Sequence, residues 1–324
     1  MLRRTFVKAL ALSCALVGVS APALADYPER PIQLIVPWGA GGGTDAVGRI
    51  FATLLETGLG QPVNVVNRTG GSGVGGHTAI SSAPADGYTL GVMTVEITMM
   101  HHQGLTELTY EDYTVLALVN ADPGGVMVAA DSPYETVEDL LQAIKDEPAG
   151  TFKASGTGQG GIWHVGLAGW LMSEDVDPNK VTWVPSQGAA PGLTDMVAGG
   201  VDIVTASLPE GRALIEAGKV KPLATMGSER LGLFPDVPTL AEATGSDWTT
   251  AAWRALVGPN GLPDDVVTKL RDAIKMAYDS DEFQSFMKDR GFGVTWMPGD
   301  EAGSFMSDAD TNFGEVMKEA GLAQ

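Results

Sequence analysis

Short runs of β-branched and other apolar residues alternate along this chain with stretches in which apolar positions recur every three or four residues. Ile32 to Val36 is continuously apolar and ends at Pro37, which predicts a buried strand. From Asp45 to Thr57 the residues Val47, Ile50, Phe51, Leu54 and Leu55 share one helical face. Val63 to Val66 and Thr89 to Thr94 predict the second and third strands, and Val115 to Asn120 a fourth. The unit then repeats: strand Val126 to Ala129, helix around Val137 to Ile144, strand Thr151 to Ser155, helix Ile162 to Met172. Strand Val181 to Val184, helix Ala190 to Val197, and strands Val201 to Thr205 and Val220 to Met226 follow. A proline-punctuated connection, Phe234 to Leu240, leads to strand Ala251 to Val257 and helices at Pro263 to Tyr278 and Glu301 to Ala320. Such alternation predicts an α/β protein with largely parallel sheets.

A middle block flanked by two lobes of similar character predicts one domain inserted into another. The boundaries fall near Asn120–Asp122 and Gly245–Trp248. They assign residues 26–122 and 247–324 to the first domain and 123–246 to the second. Two strands crossing at those boundaries would form a hinge.

The N-terminus sets the compartment. Arg3, Arg4 and Lys8 precede an apolar stretch from Ala9 to Val19, and Ala23-Leu24-Ala25 has the small-x-small form of a cleavage site. Residues 1–25 therefore read as an export signal, with Asp26 as the mature N-terminus and the periplasm as the destination. Arg3-Arg4 suits the twin-arginine route as well as the general secretory one. The single cysteine, Cys14, lies inside this segment, so the mature chain has no thiol for disulfides, catalysis or metal binding. No later segment approaches 18 consecutive apolar residues, so no direct membrane insertion is expected.

Removing Arg3, Arg4 and Lys8 from the 20 basic residues leaves 17 against 40 acidic ones, a formal charge of −23. That surface disfavours nucleic acid and anionic lipid as partners. It also repels small anions at long range, so an anion site has to be built locally.

Three glycine clusters offer such sites. They are Gly39 to Asp45, Gly70 to Gly76 and Gly156 to Gly161, each after a predicted strand and before a predicted helix. Glycine lets the backbone approach a ligand, and the unpaired N–H groups and dipole of the helix start then favour a carboxylate or phosphate. The second and third clusters match G-x-G-x-x-G, but no acidic residue ends the next strand at the spacing a dinucleotide fold needs. No nucleotide P-loop and no G-x-S-x-G elbow is present, so neither cofactor nor catalytic residue is expected. His101 and His102 would point to different faces of a regular element, and no metal site is expected. His77 reads as exposed or simply hydrogen-bonded. Trp38 and Trp163 each adjoin a glycine loop and suit either a cleft wall or the core.

Several segments together resemble a known family. They are Tyr27-Pro28-Glu29-Arg30-Pro31-Ile32, Pro37-Trp38-Gly39-Ala40-Gly41-Gly42 with Asp45, and Asn67-Arg68-Thr69-Gly70-Gly71-Ser72-Gly73. Pro84-Ala85-Asp86-Gly87-Tyr88-Thr89-Leu90, Tyr110-Glu111-Asp112-Tyr113 and Phe234-Pro235-Asp236-Val237-Pro238-Thr239-Leu240-Ala241-Glu242 continue the series in order. These resemble the tripartite tricarboxylate transporter receptors, also called Bug proteins. The resemblance implies a periplasmic-binding-protein-like flytrap of two α/β domains joined by a two-strand hinge. It implies a monomeric, non-enzymatic receptor that delivers a small organic carboxylate to membrane permease subunits.

The resemblance also implies where the ligand sits. Trp38, Ala40, Gly41, Gly42, Thr44 and Asp45 would supply one wall. Ser155, Gly156, Thr157 and His164 would supply the other, with Gly188, Ala189, Ala190 and Thr94 completing the pocket. This chain departs from the family pattern at Ser186-Gln187-Gly188-Ala189, which brings no cation, and at Gln159-Gly160-Gly161. A mono- or dicarboxylate is therefore favoured over a tricarboxylate. Glu96, where small polar residues are common, would either complement a helix start at the surface or face the cleft and accept a hydrogen bond from the ligand. A receptor feeding a sensory system and an exported hydrolase are the competing functions, and the missing nucleophile–base pair disfavours the hydrolase.

Overall fold

A computed structural model describes residues 27–324, so the predicted export signal and its cleavage site lie outside the described residues. The order opens with β1 (Ile32–Val36), α1 (Gly43–Leu59), β2 (Val63–Asn67), α2 (Val74–Ser81), β3 (Thr89–Thr94) and β4 (Tyr113–Pro123). It continues with β5 (Gly125–Ala129), α3 (Val137–Asp146), β6 (Phe152–Ser155), α4 (Ile162–Ser173), β7 (Val181–Trp183) and α5 (Ala189–Val197). Then come β8 (Ile203–Thr205), α6 (Leu208–Glu216), β9 (Val220–Thr225), α7 (Leu240–Ala243) and β10 (Ala251–Pro259). The chain closes with α8 (Asp264–Asp279), α9 (Asp281–Arg290), β11 (Met297–Pro298) and α10 (Gly299–Glu319).

The strands form two sheets, in the orders β11-β4-β10-β3-β1-β2 and β7-β6-β8-β5-β9. Both are mixed, where the alternation predicts largely parallel sheets. β1 runs parallel to β2 and β3, but β10 is antiparallel to both β3 and β4. The reason is topological: β4 carries the chain out of the first sheet and β10 brings it back alongside. In the second sheet β6 is parallel to β7 and β8, while β5 is antiparallel to β8 and β9.

Each sheet is covered by helices, giving a two-domain α/β flytrap. α1 packs Val47, Phe51 and Leu55 under β1, and the fully buried Phe283 of α9 lies 4.8 Å from the Phe51 ring. In the second domain Trp170 and Leu171 of α4 pack with Leu140 and Ile144 of α3 around Val128 and Ile203. Where the chain passes between the sheets, three segments are tied side by side. Gly124 N–H donates to Thr250 O (2.9 Å), Thr250 N–H to Met226 O (3.1 Å), and Met226 N–H to Gly124 O (2.7 Å).

Candidate functional site

Parallel strands that feed helices leave their carboxyl ends and the helix N-termini on one edge of the sheet. Here the edges of the two sheets face each other, and between them lies a narrow cavity of about 30 Å³. Three helix N-termini line it: α1 at Gly42–Thr44, α4 at Ile162–Trp163, and α5 at Gly188–Ala190. Trp38, Thr94, Glu96, Thr157, Glu210 and Arg254 supply the side chains, with Trp253 behind them.

The first wall is organised by Arg254 of β10, whose guanidinium is 2 % exposed. Its Nε donates to Thr44 Oγ1 at 3.0 Å, and one terminal nitrogen donates to both Asn120 Oδ1 and Asp122 Oδ2. The other lies 3.9 Å from Glu210 Oε1. Asp122 in turn accepts from Asn120 Nδ2 (3.0 Å) and Gly293 N–H (2.7 Å). A buried arginine is tolerated because two carboxylates, Asp122 and Glu210, and hydrogen bonds to Thr44 and Asn120 surround its fork. A Cβ on Gly43 would stand 2.7 Å from the guanidinium and 2.9 Å from Glu210 Oε1, so a larger residue here would push both side chains out of place.

Two glutamates bridge the cleft in opposite senses. Glu210 of α6, in the second domain, accepts from Gly43 N–H at the start of α1 in the first domain (3.0 Å). Glu96, which follows β3 in the first domain, accepts from Ile162 N–H at the start of α4 in the second (3.3 Å). Each is held by its other oxygen on its own side: Glu96 Oε2 accepts from Thr94 Oγ1 (2.5 Å), and Glu210 Oε2 from Ser207 Oγ (3.1 Å). Burial raises both carboxyl pKa values above the ordinary range. The hydrogen bond from Thr94 opposes this chiefly at Glu96, and the charge of Arg254 chiefly at Glu210. Three further bonds span the cleft: Gly39 N–H to Gln187 O (3.1 Å), Ser72 Oγ to Gln159 O (2.9 Å) and Gln103 Nε2 to Gly160 O (3.2 Å).

Nine of the residues expected in the pocket line this cavity: Trp38, Gly42, Thr44, Thr94, Glu96, Thr157, Gly188, Ala189 and Ala190. Six do not. Asp45 braces the loop from behind, accepting from Gly41 N–H (3.0 Å), Arg49 Nε (2.8 Å) and Asn67 Nδ2 (2.9 Å). Burial would raise its pKa, but those three hydrogen bonds and the Arg49 charge outweigh burial and lower it. Ala40 is exposed and Gly41 opens outward, because the bond to Asp45 turns the loop crest away. Ser155 spends its hydroxyl on Val184 O (2.7 Å), and Gly156 is packed under the Thr205 carbonyl. His164 lies on the outer side of α4, stacked on Trp183 at 4.5 Å, with Nδ1 accepting from Gly160 N–H (3.0 Å). Burial pushes its pKa down to about 4.

Of the other histidines, His77 is hydrogen-bonded as expected, while the pair His101 and His102 differs from expectation. His77 is fully buried behind Trp38, donating from Nδ1 to Gly73 O (2.8 Å) and accepting at Nε2 from Thr94 N–H (3.2 Å). Burial lowers its pKa to about 4 against the opposing hydrogen bond to Gly73. His101 and His102 do not point apart, because they sit in a tight turn. Both Nε2 atoms approach Asp310 Oδ1, at 3.3 and 3.2 Å. Among the described residues this is the one group of histidine and acidic side chains close enough to share a metal ion. It lies against α10, apart from the cavity.

Glu96 is 2 % exposed and lines the cavity, so it complements the start of α4 from inside the cleft and not at the surface. Glu210 and Arg254 escaped the sequence reading. Glu210 carried a signal, since Ser207-Leu208-Pro209-Glu210 is a capping box with proline in the first turn of α6. Arg254 carried a weaker one: a lone arginine inside the apolar run from Ala251 to Val257.

Comparison with known proteins bears on this geometry. Residues 47–322 match the family described as Tripartite tricarboxylate transporter family receptor. A UPF0065 protein of Bordetella pertussis is 32% identical over 312 residues, 95% of each chain. Protein BugT of the same organism is 28% identical over 317 residues, 95% of this chain and 94% of that one. Among solved structures, R. palustris Rpa4515 with adipate superposes with a TM-score of 0.86 at 27% identity, over 92% of this chain and 99% of that one. MatC (Rpa3494) from Rhodopseudomonas palustris with bound malate gives 0.82 at 26% identity, over 90% and 99%. Among the described residues, no helix is long and apolar enough to cross a membrane.

Proposed function

The chain belongs to the tripartite tricarboxylate transporter receptor family, and we propose that it captures a small organic carboxylate between its two domains. It then delivers that ligand, a mono- or dicarboxylate, to the membrane permease subunits of a tripartite transporter. The domain boundaries in this reading are 26–122 with 247–324, and 123–246. The protein acts in the periplasm after cleavage behind Ala25.

One observation carries the reading. Three helix N-termini, from both domains, converge on a single cavity at the carboxyl edges of the sheets. Such ends offer N–H donors and about half a positive charge each, which suits a carboxylate and needs no lysine. The adipate- and malate-containing neighbours support the ligand class. The cavity of about 30 Å³ holds about one water, so a ligand enters only when the domains part. Binding without turnover is the reading that the receptor family and the adipate- and malate-containing neighbours support.

Native mass spectrometry of the protein purified without refolding tests the proposal. A small carboxylic acid released on denaturation is expected. Release of a compound without a carboxyl group would contradict it. Intact mass should also start the mature chain at Asp26, without lipid.

A further inference from the structure

Neighbouring residues of a regular element point apart, yet His101 and His102 converge. The cause is the turn after β3, where Gly104 N–H donates to His101 O (3.0 Å) and Leu105 N–H to Met100 O (3.1 Å). The two imidazole rings stand 4.0 Å apart, tilted by 41°. α10 supplies a third member, Asp310, whose Oδ1 lies 3.3 Å from His101 Nε2 and 3.2 Å from His102 Nε2. α10 is also shaped to receive the pair. A Cβ on Gly314, one turn beyond Asp310, would stand 2.6 Å from the His102 ring, so glycine leaves the seat that the ring takes.

Hydrogen bonding alone does not account for this cluster. His77 engages both ring nitrogens with backbone groups, and His164 engages one. His102 bonds to the side chain and to the main-chain carbonyl of Asp310, both at 3.2 Å. Among the described residues His101 makes no side-chain hydrogen bond: its Nε2 only approaches Oδ1, and its Nδ1 is buried without a partner.

The spacing is that of ligands around a cation. Zinc binds imidazole nitrogen and carboxylate oxygen at about 2.0–2.2 Å, so two ligands of a tetrahedral ion stand about 3.4 Å apart. Both nitrogen–oxygen distances here come close to that figure, and the three ligand atoms all lie within 4.8 Å of one another. Two imidazoles with one carboxylate favour zinc, copper or nickel over the hard cations magnesium and calcium. All three side chains are partly exposed, so an ion can enter from solvent and keep a water as its fourth ligand. The excess of acidic residues over the whole chain draws cations in at long range.

We propose that His101, His102 and Asp310 form a site for a divalent transition metal ion, with zinc the best match, and that the ion ties the turn after β3 to α10. The same turn carries Gln103, which donates across the cleft to Gly160 O (3.2 Å). A bound ion therefore braces a segment that touches both domains. The site lies apart from the cavity and does not depend on the carboxylate-receptor reading.

Zinc titration of tag-free protein, stripped with a chelator and followed by calorimetry, tests the proposal. Wild type should take up about one zinc ion and melt at a higher temperature with it, while magnesium and calcium do neither. With zinc at about a hundred times its Kd, the folding equilibrium should shift about a hundredfold. His101→Ala and Asp310→Asn should each weaken zinc binding at least about tenfold. Side-chain NMR of the wild type needs no variant to fold: zinc should move the signals of His101 and His102 and leave those of His77 and His164 in place. No uptake by the wild type, equal uptake by both variants, or movement of the other two histidines would each overturn the site. Carboxylate titrations read the cleft separately, so either conclusion can fail alone.

Discussion

The first and second glycine clusters look alike as text: each follows a strand of the same sheet, and each opens a helix. In three dimensions they do different work. The first, Gly39 to Asp45, exposes the start of α1 to the cavity, where Glu210 meets Gly43. The second, Gly70 to Gly76, packs against the back of the first. A Cβ on Gly76 would stand 2.5 Å from Pro37 Cα, and one on Gly73 would stand 3.3 Å from the Trp38 ring. From this cluster Ser72 reaches across the rim to Gln159 O. Glycine marks close backbone approach in both, but in one the neighbour is the cavity and in the other it is the packed interior of the protein.

If that division is right, the two loops should fail differently. The largest effect is expected beneath the first loop, at Arg254. Arg254→Leu strands Asp122 and Glu210 as buried, unpaired acids, and should cost about 3–5 kcal/mol in urea unfolding. A loss below about 1 kcal/mol would mean the guanidinium does not organise this wall.

The second loop should reveal itself through pH, because His77 lies under it. The folded pKa of about 4 is below the ordinary 6.5, so the unfolded chain binds more protons between those values. The stability held by neutral His77 is therefore complete above pH 6.5 and is lost as pH falls toward 4. At full size it is up to about 3 kcal/mol. Melting curves between about pH 7 and 4 should fall less steeply for His77→Gln than for wild type. Parallel curves would remove His77 from this role.

These expectations show what was legible in advance. The strands and main helices could be read because burial imposes a period on the sequence, as in β1 and α1. α9 could not, since Phe283 and Met287 are its only buried residues. Nine cavity-lining residues were readable because a strand–glycine–helix order places backbone N–H groups at the sheet edge whatever the tertiary detail. Glu210 and Arg254 were not, because their roles exist only once they meet residues 167 and 132 positions away. Asp45 and His164 stay off the cavity lining for a related reason. Sequence puts them beside the cleft, but local hydrogen bonding and stacking turn them from it.

Smaller effects separate the loops most cleanly. Gly76→Ala forces a Cβ against Pro37 and Arg68 O, and should cost about 1–3 kcal/mol of stability. Gly42→Asp should do the opposite. Gly42 has an ordinary φ of −82° and space around its Cβ, so stability should stay within about 0.5 kcal/mol of wild type. Its new carboxylate would stand at the start of α1 beside Glu210, and ligand affinity should fall at least about tenfold, or about 1.4 kcal/mol. Normal binding by Gly42→Asp would reduce the first loop to a turn like the second.

The central claim is that the cleft captures carboxylates. Its most direct test is calorimetric titration of the wild-type protein with mono- and dicarboxylates, amino-carboxylates, neutral sugars and simple amines. One carboxylate-bearing ligand should bind at a single site, near micromolar affinity or about −8 kcal/mol, and be recovered unchanged. Binding of a sugar or a simple amine, with no response to any carboxylate, would contradict the account.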